Sequence, residues 1–410
     1  MDHRDAPRLS GSAPMMSIDN FPPTRAAALA RINAVRPSDY ARSRNSLEGA
    51  VTYLSPYITH GLVSLPEVLS GVTSRYALDS QHKFVFELGW REYFHHVWQF
   101  RDAGIFTNLH EGPLPESDYA TLLPADIRLG ATGVPVVDMA VRTLYDTGYL
   151  HNHARMWLAS YVVHIRKVHW RCAADWLYGH LLDGDLASNH LSWQWVAGTG
   201  STKPYLFNAE NVQRYAPPAW HSTGSVIDQS YEMLDHIARQ PTYHKRSKHD
   251  VLYADSIGIE PPLRTTPPND LRWTAPDKAA VNGHDVWLVH PWNLGELPAT
   301  LPAGTVVVGM LLTDFHNAWP WSERRWRFVT SRMAELSSVR WLADAATIGA
   351  ALSGARSVRS IDELHLKPWL SHLADCQSAP ALFAAVDRCC NSFSKWWTQV
   401  SRGEIQNLNK

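Results

Sequence analysis

Three stretches of this 410-residue chain gather side chains able to do chemistry. In HKFVFELGWREYFHHVW (82–98), Glu87, Trp90, Arg91, Phe94 and Trp98 follow the three-four spacing of one helical face. That face reads in two ways: a weak i,i+4 Glu–Arg pair on an aromatic core stripe, or an aromatic wall aiming a carboxylate and a guanidinium into a cavity. In the second stretch, Asn152, Arg155 and Met156 stand at i, i+3 and i+4, so an amide, a cation and a thioether project together. Between residues 128 and 171 Lys and Arg outnumber Asp by six to two. This stripe is either a phosphate-tracking surface or a solvated helix face. In the third, Asp183 and Asp185 flank a glycine at a helix start. Capping is the ordinary role there, and accepting hydrogen bonds from a sugar hydroxyl or a ring N–H is the functional one. Asn189 and Trp193 continue from Asp185 in steps of four, placing carboxylate, amide and indole along one line, while Trp195 points elsewhere. An amide beside a redox ring tunes it, and an indole within packing distance passes it an electron.

The elements that must position these groups are helical. Periods near 3.6 recur over 62–76, 81–103, 135–148, 151–170, 171–182 and 185–197, joined by turns marked with Gly or Pro. Composition shifts at 241–280, where PPLRTTPPNDLRWTAP carries five prolines and predicts a stiff linker. Beyond it DVWLV (285–289), TVVVGMLLT (305–313) and VRWLA (339–343) read as buried strands, with helices near 323–336 and 380–400. The expected fold class is a mainly α domain followed by a small C-terminal α/β domain with a short parallel sheet. The divisions are a disordered N-terminus (1–20), a helical domain (21–240), a linker (241–280) and the α/β region (281–410). That last region holds neither G-x-G-x-x-G nor a P-loop.

Composition narrows the function classes. With 45% hydrophobic and 19% charged residues and no apolar run near 20 residues, a globular, cytoplasmic protein without a membrane partner is expected. A formal net charge of −1 excludes a uniformly basic nucleic-acid coat and leaves room for a local basic face. Four cysteines without C-x-x-C predict free buried thiols and no metal site. The aromatic surplus, 18 Trp, 15 Tyr and 11 Phe, invites stacking on a flat ligand or nucleobase, or simply fills a bulky core.

Taken in order, these segments resemble the FAD-binding helical domain of the photolyase/cryptochrome family over roughly residues 40–215. Tyr40 and Arg44 precede TYLSP (52–56), which is similar to the family's S-x-L-S-P flavin-phosphate turn. WRE (90–92), G-x-T-G-x-P-x-V-D (130–138), TGYLHNHARM (147–156), DGDLASN (183–189) and WQW (193–195) follow. The resemblance implies a U-shaped FAD in contact with Tyr40, its diphosphate near Thr52, Leu54 and Ser55, and Arg91 and Arg155 lining the site. Asp183 and Asp185 would meet the adenine–ribose and isoalloxazine side, with Asn189 beside the flavin N5. In repair members of the family, light-excited reduced FAD donates an electron to a cyclobutane pyrimidine dimer flipped out of the DNA. Trp90 and Trp195 would form an aromatic clamp on that dimer, Glu87, Asn152 and Met156 would meet it from beneath, and Arg44 and His153 would contact the DNA. Glu87, Asn189, Trp193 and Trp170 would carry the photochemistry and its electron relay.

The chain also departs from the family pattern. His153 stands where many members have Arg in H-N-R, Tyr149 replaces the Trp of T-G-W, and YLFNAEN (205–211) replaces R-I-F-N-P. Ile127 occupies the place of the outermost relay tryptophan, so Trp170 and Trp193 need another exit, such as a nearby tyrosine. Family members generally place an α/β antenna domain before the flavin domain, so the C-terminal region is a permuted or reduced antenna domain or an unrelated addition. The antenna chromophore is left unspecified. The expected function is a deoxyribodipyrimidine photo-lyase acting on UV-damaged DNA, with single- or double-strand preference open. The alternative is a cryptochrome-type blue-light photoreceptor whose signalling partner is unspecified. Retention of Asn152 and Met156 favours the dimer as substrate.

Overall fold

Proline and glycine punctuate the helical half of the chain where the sequence places them. Pro135 opens one helix at a position that needs no amide hydrogen, and Gly148, at φ 67°, closes it in the left-handed conformation. The computed structural model describes residues 21–241, 260–270 and 272–401. The expectations for residues 1–20 and for 242–259 of the linker lie outside the described residues.

Twelve helices precede residue 242 among the described residues. They are α1 (Arg25–Ala34), α2 (Pro37–Ser43), α3 (Ser55–Thr59), α4 (Leu65–Thr73), α5 (Lys83–Arg101) and α6 (Ala125–Arg128). The series continues with α7 (Pro135–Thr147), α8 (Asn152–Ser160), α9 (Trp170–His180), α10 (Leu186–Ala197), α11 (Ala209–Tyr215) and α12 (Tyr231–Ala238). The helix expected over 151–170 stops at Ser160 and passes into a π turn at Tyr161–Ile165. Its buried residues Trp157, Leu158 and Val162 join a core with Val137, Leu144, Trp170 and Trp193.

The second half is α/β. Its strands are β1 (Leu263–Arg264), β2 (Asp285–Val289), β3 (Val306–Leu312), β4 (Trp321–Ser322), β5 (Val339–Ala343), β6 (Ser357–Ile361) and β7 (Asp375–Gln377). Helices α13 (Thr313–Ala318), α14 (Glu323–Leu336), α15 (Ala345–Leu352), α16 (Lys367–Leu373) and α17 (Phe393–Val400) accompany them. Five strands form one parallel sheet in the order β5-β3-β2-β6-β7. The chain winds outward from β2 to one edge, then returns to its other side, so the order reverses between β2 and β6. In open α/β sheets a crevice forms at such a reversal, outside the carboxyl ends of the strands. β6 and β7 escape sequence reading because SVRSI alternates weakly and the other strand is three residues long.

Two segments differ from their sequence expectation. Residues 260–280 are pinned to both halves rather than free-standing. Glu260 meets Arg128 and the Trp176 indole, Leu263–Arg264 pairs antiparallel with Trp321–Ser322, and the Thr274 N–H donates to Arg340 O at 3.0 Å. The helix expected over 380–400 is a correction, because only Phe393–Val400 is helical. The preceding loop gives its backbone to α5 instead. Glu92 accepts the Leu382 and Phe383 N–H groups, His96 Nε2 accepts the Cys390 N–H at 3.0 Å, and the Tyr93 hydroxyl donates to Cys390 O at 3.2 Å. These tertiary bonds take the donors an i,i+4 ladder would use. All four cysteines are free, but only Cys390 is buried, so the expectation of buried thiols is corrected for Cys172, Cys376 and Cys389. Among the described residues no helix is long and apolar enough to cross a membrane.

Candidate functional site

The floor of the site is the N-terminus of α10. Asp185 caps it, Oδ1 accepting the Ser188 N–H at 2.8 Å. Its Oδ2 meets His95 Nε2 at 2.8 Å and Arg91 Nη2 at 3.4 Å, with the carboxylate side chain only 1% exposed. Burial alone would raise the Asp185 carboxyl, but His95 and Arg91 outweigh it and hold the group well below the usual carboxylate range. Burial likewise pulls the His95 imidazole down, and the Asp185 charge and hydrogen bond more than offset this, leaving its pKa raised. Beside this pair, Arg155 Nη2 donates to both Asp183 oxygens at 2.9 and 2.8 Å, while Arg155 Nε donates to Leu150 O at 2.8 Å. Asn189 donates through Nδ2 to Ala174 O at 2.8 Å, which fixes the amide plane and leaves Oδ1 for a ligand.

Above the floor, one face of α5 stays partly open. Glu87, Arg91 and His95 are spaced by four, and their side chains keep 35%, 19% and 29% of their surface exposed. Burial is nevertheless the largest cause of the raised pKa values at Tyr40 and Glu87, and at His95 it opposes the shift. These side chains are crowded by protein atoms yet still reached by water. TYLSP forms the adjoining turn: Thr52 Oγ1 accepts the Leu54 N–H at 3.4 Å, Tyr53 is left-handed at φ 52°, Leu54 is buried and half-buried Ser55 begins α3. A left-handed tyrosine is uncommon, so tertiary packing must impose it. Its ring packs edge-on against Tyr149 at 5.3 Å.

The rim is a chain of contacts. Arg44 Nε pairs with Glu87 at 3.3 Å, three residues before Trp90 on α5. His153 Nδ1 meets Asn45 O at 2.7 Å, and its Nε2 meets the Tyr205 hydroxyl at 3.3 Å. Tyr205 in turn lies 5.7 Å from the Trp195 ring, which is 39% exposed. Asn152 Nδ2 points to Met156 Sδ at 3.7 Å, as their spacing predicts. His153, expected at the DNA contact, is 8% exposed with both ring nitrogens engaged and its ring 4.5 Å from Trp157. Trp90 stacks on Phe393 of α17 at 4.0 Å and 11°, so one face of the expected clamp is backed by the chain itself. No ring contact joins Trp90 to Trp195 among the described residues.

Trp170 and Trp193 are both buried in the helical core, and so is Ile127. Trp170 donates to Asn108 Oδ1 at 2.6 Å and neighbours His169 and His190 rather than Trp193. His169 leads on to Tyr119 at 6.3 Å. Sequence reading missed His95, although its place four residues after Arg91 on the same face could have revealed it. Arg325, His365 and Phe393 also reach the region of the site, but they come from the distant α/β half and carry no local signal.

The family model described as "FAD binding domain of DNA photolyase" matches residues 84–243. A deoxyribodipyrimidine photo-lyase from Streptomyces griseus is 36% identical over 172 residues, covering 41% of this chain and 37% of the relative. A cryptochrome DASH from Vibrio parahaemolyticus is 33% identical over 192 residues, covering 44% and 43%. A solved cryptochrome from Synechocystis is 30% identical, covers 48% of this chain and 44% of its own, and overlaps with a TM-score of 0.43. The chain spans about half or less of the length of these relatives. Residues 84–243 thus match a photolyase FAD-binding domain, and about half of the chain is similar to proteins named photolyase and cryptochrome. The residues present fit that cofactor. The guanidinium groups of Arg91 and Arg155, each held by a buried carboxylate, suit a diphosphate, and the Asn189 amide oxygen is unclaimed.

Proposed function

We propose that this protein is a light-driven DNA repair flavoprotein that splits cyclobutane pyrimidine dimers. When bound and reduced, FAD supplies a light-excited electron donor, and the chain's own residues bind, orient and shield. Arg91 and Arg155, each braced by a buried carboxylate, hold the anionic and polar edges of the cofactor. Asn189, its amide plane set by Ala174 O, presents one fixed oxygen beside the reactive ring. The reading is supported by a run of contacts: Arg44 pairs with Glu87 three residues before Trp90, and His153, beside Asn152, meets Tyr205, which lies by Trp195. Burial raises the Glu87 carboxyl against the pull of Arg44, and the side chain stays partly exposed toward the side on which a base would lie. Trp90 and Trp195 offer flat faces to everted bases. For the electron relay, Tyr119, on the far side of His169 from Trp170, is the exit donor in place of the outer tryptophan that Ile127 replaces, with the His169 ring only lying between them.

The test is the thymine-dimer content of UV-treated oligonucleotides after blue light and reductant, against a dark control. Repair predicts loss of dimers only in the lit sample; equal content in both overturns it. A second reading, a blue-light photoreceptor, is favoured by one observation. The C-terminal segment docks on α5, the helix that carries Glu87 and Trp90, and would couple flavin state to a partner-binding surface.

A further inference from the structure

The loop after β6, beside the strand-order reversal of the α/β sheet, reaches the N-terminus of α10. It carries Glu363 and His365, and His365 Nε2 accepts the N–H of Leu186, the first residue of α10, at 3.2 Å. Helix N-termini leave such amides unpaired unless something accepts from them. His365 Nδ1 lies 2.6 Å from Glu363 Oε1, which fixes the tautomer: Nδ1 carries the proton and Nε2 the lone pair. Trp292, from the loop after β2, stacks on the imidazole at 4.4 Å and 16°, and Trp98 of α5 meets it edge-on at 4.8 Å. On the other side of Asp185, fully buried Arg325 of α14 donates through Nη2 to Gly184 O at 2.5 Å and through Nη1 to Tyr178 O at 3.2 Å. Its guanidinium lies over the Trp321 ring at 4.0 Å. A side chain at Gly184 would collide with it, which is why the segment reads Asp-Gly-Asp.

We infer that the α/β half is a structural part of the flavin site, in which His365 and Arg325 grip the backbone on either side of Asp185 and act as positioning residues for its carboxylate. This rests on the FAD reading above. Each acts through the peptide groups of Gly184 and Leu186. Loss of the His365 acceptor frees the first turn of α10 and lets Asp185 drift from His95 and Arg91, loosening what the carboxylate holds.

The experiment uses full-length protein stripped of flavin and retitrated with FAD, followed by spectroelectrochemistry of the loaded form. His365→Leu should weaken FAD binding about tenfold, the scale of one buried donor left unpaired, and shift the flavin midpoint potential. His365→Gln places an amide oxygen where Nε2 was and should recover most of the affinity and the wild-type potential. Ile348→Val, which trims a fully buried side chain of α15 in the same half, should change neither. His365→Leu with wild-type affinity and potential overturns the inference, and so does an equal loss in Ile348→Val. If His365→Leu does not fold, Glu363→Gln carries the same expectation at smaller size. A wild-type chain that takes up no FAD sinks the flavin reading itself, a result distinct from the others.

Discussion

The floor and the rim of the site are built on opposite terms. At the floor, Asp183 and Asp185 are 4% and 1% exposed and spend every oxygen on protein partners. At the rim, Arg44 and Glu87 are 23% and 35% exposed, Trp195 is 39% exposed, and the Asn152 side chain makes a long bond to sulfur. A cofactor that stays for many turnovers needs preorganised, desolvated partners. A substrate that enters and leaves needs partners that still hold some water. The difference teaches which residues to expect in each role, and it can be broken experimentally.

The largest effect is expected at the floor. Asp185→Ala uncaps α10 and strands Arg91 and His95, and breaking a buried pair of this kind costs about 3–5 kcal/mol. Purified variant should be nearly colourless, as read from the 450 to 280 nm absorbance ratio; a fully yellow Asp185→Ala would dissolve the distinction. At the rim, Trp90→Ala and Trp195→Ala should each weaken damaged-DNA binding by roughly 1–3 kcal/mol with FAD retained, measured by fluorescence anisotropy. Flavin loss in either would move that indole to the floor.

The His95–Asp185 pair sharpens the comparison through pH. The His95 pKa lies above its ordinary 6.5, so its stabilisation is complete below 6.5 and fades as pH rises through the raised value. The Asp185 carboxyl lies below its ordinary 3.8, so its contribution holds above 3.8 and is lost as pH falls through the depressed value. Thermal melts of wild type and His95→Gln should therefore differ most near pH 5–6 and converge at alkaline pH. A gap that widened with pH would reverse the assigned charges. A smaller change is expected from Phe393→Ala, which removes the backing of Trp90: about 0.5–1.5 kcal/mol in DNA binding, with flavin content unchanged. Smallest in binding terms is Tyr119→Phe, which should slow photoreduction of oxidised flavin and leave repair by pre-reduced protein intact.

Much of the floor was legible in the letters because it is local. Asp185, Ser188 and Asn189 lie within one helical turn or so, and capping follows from residue type and spacing. Glu87 and Arg91 share a face for the same reason, and so do Asn152 and Met156. The partners of His153 were not legible, because its neighbourhood in sequence says nothing of Tyr205 and Asn45, which take both its nitrogens. The 380–392 loop misled because its apolar residues suit a helix, while the acceptors that unwind it belong to α5, some 290 residues away in the chain for Leu382.

By itself, then, the sequence determined the helical half, the cap of α10, the polar stripe of α5 and the buried central strands, all features set by contacts a few residues apart. Only tertiary structure decided that Phe393 backs Trp90, and that Arg325 and His365 bind the backbone on either side of Asp185. These contacts join residues separated by 141 to more than 300 positions, and no periodicity or local propensity encodes a pairing whose partners meet only when two cores have formed.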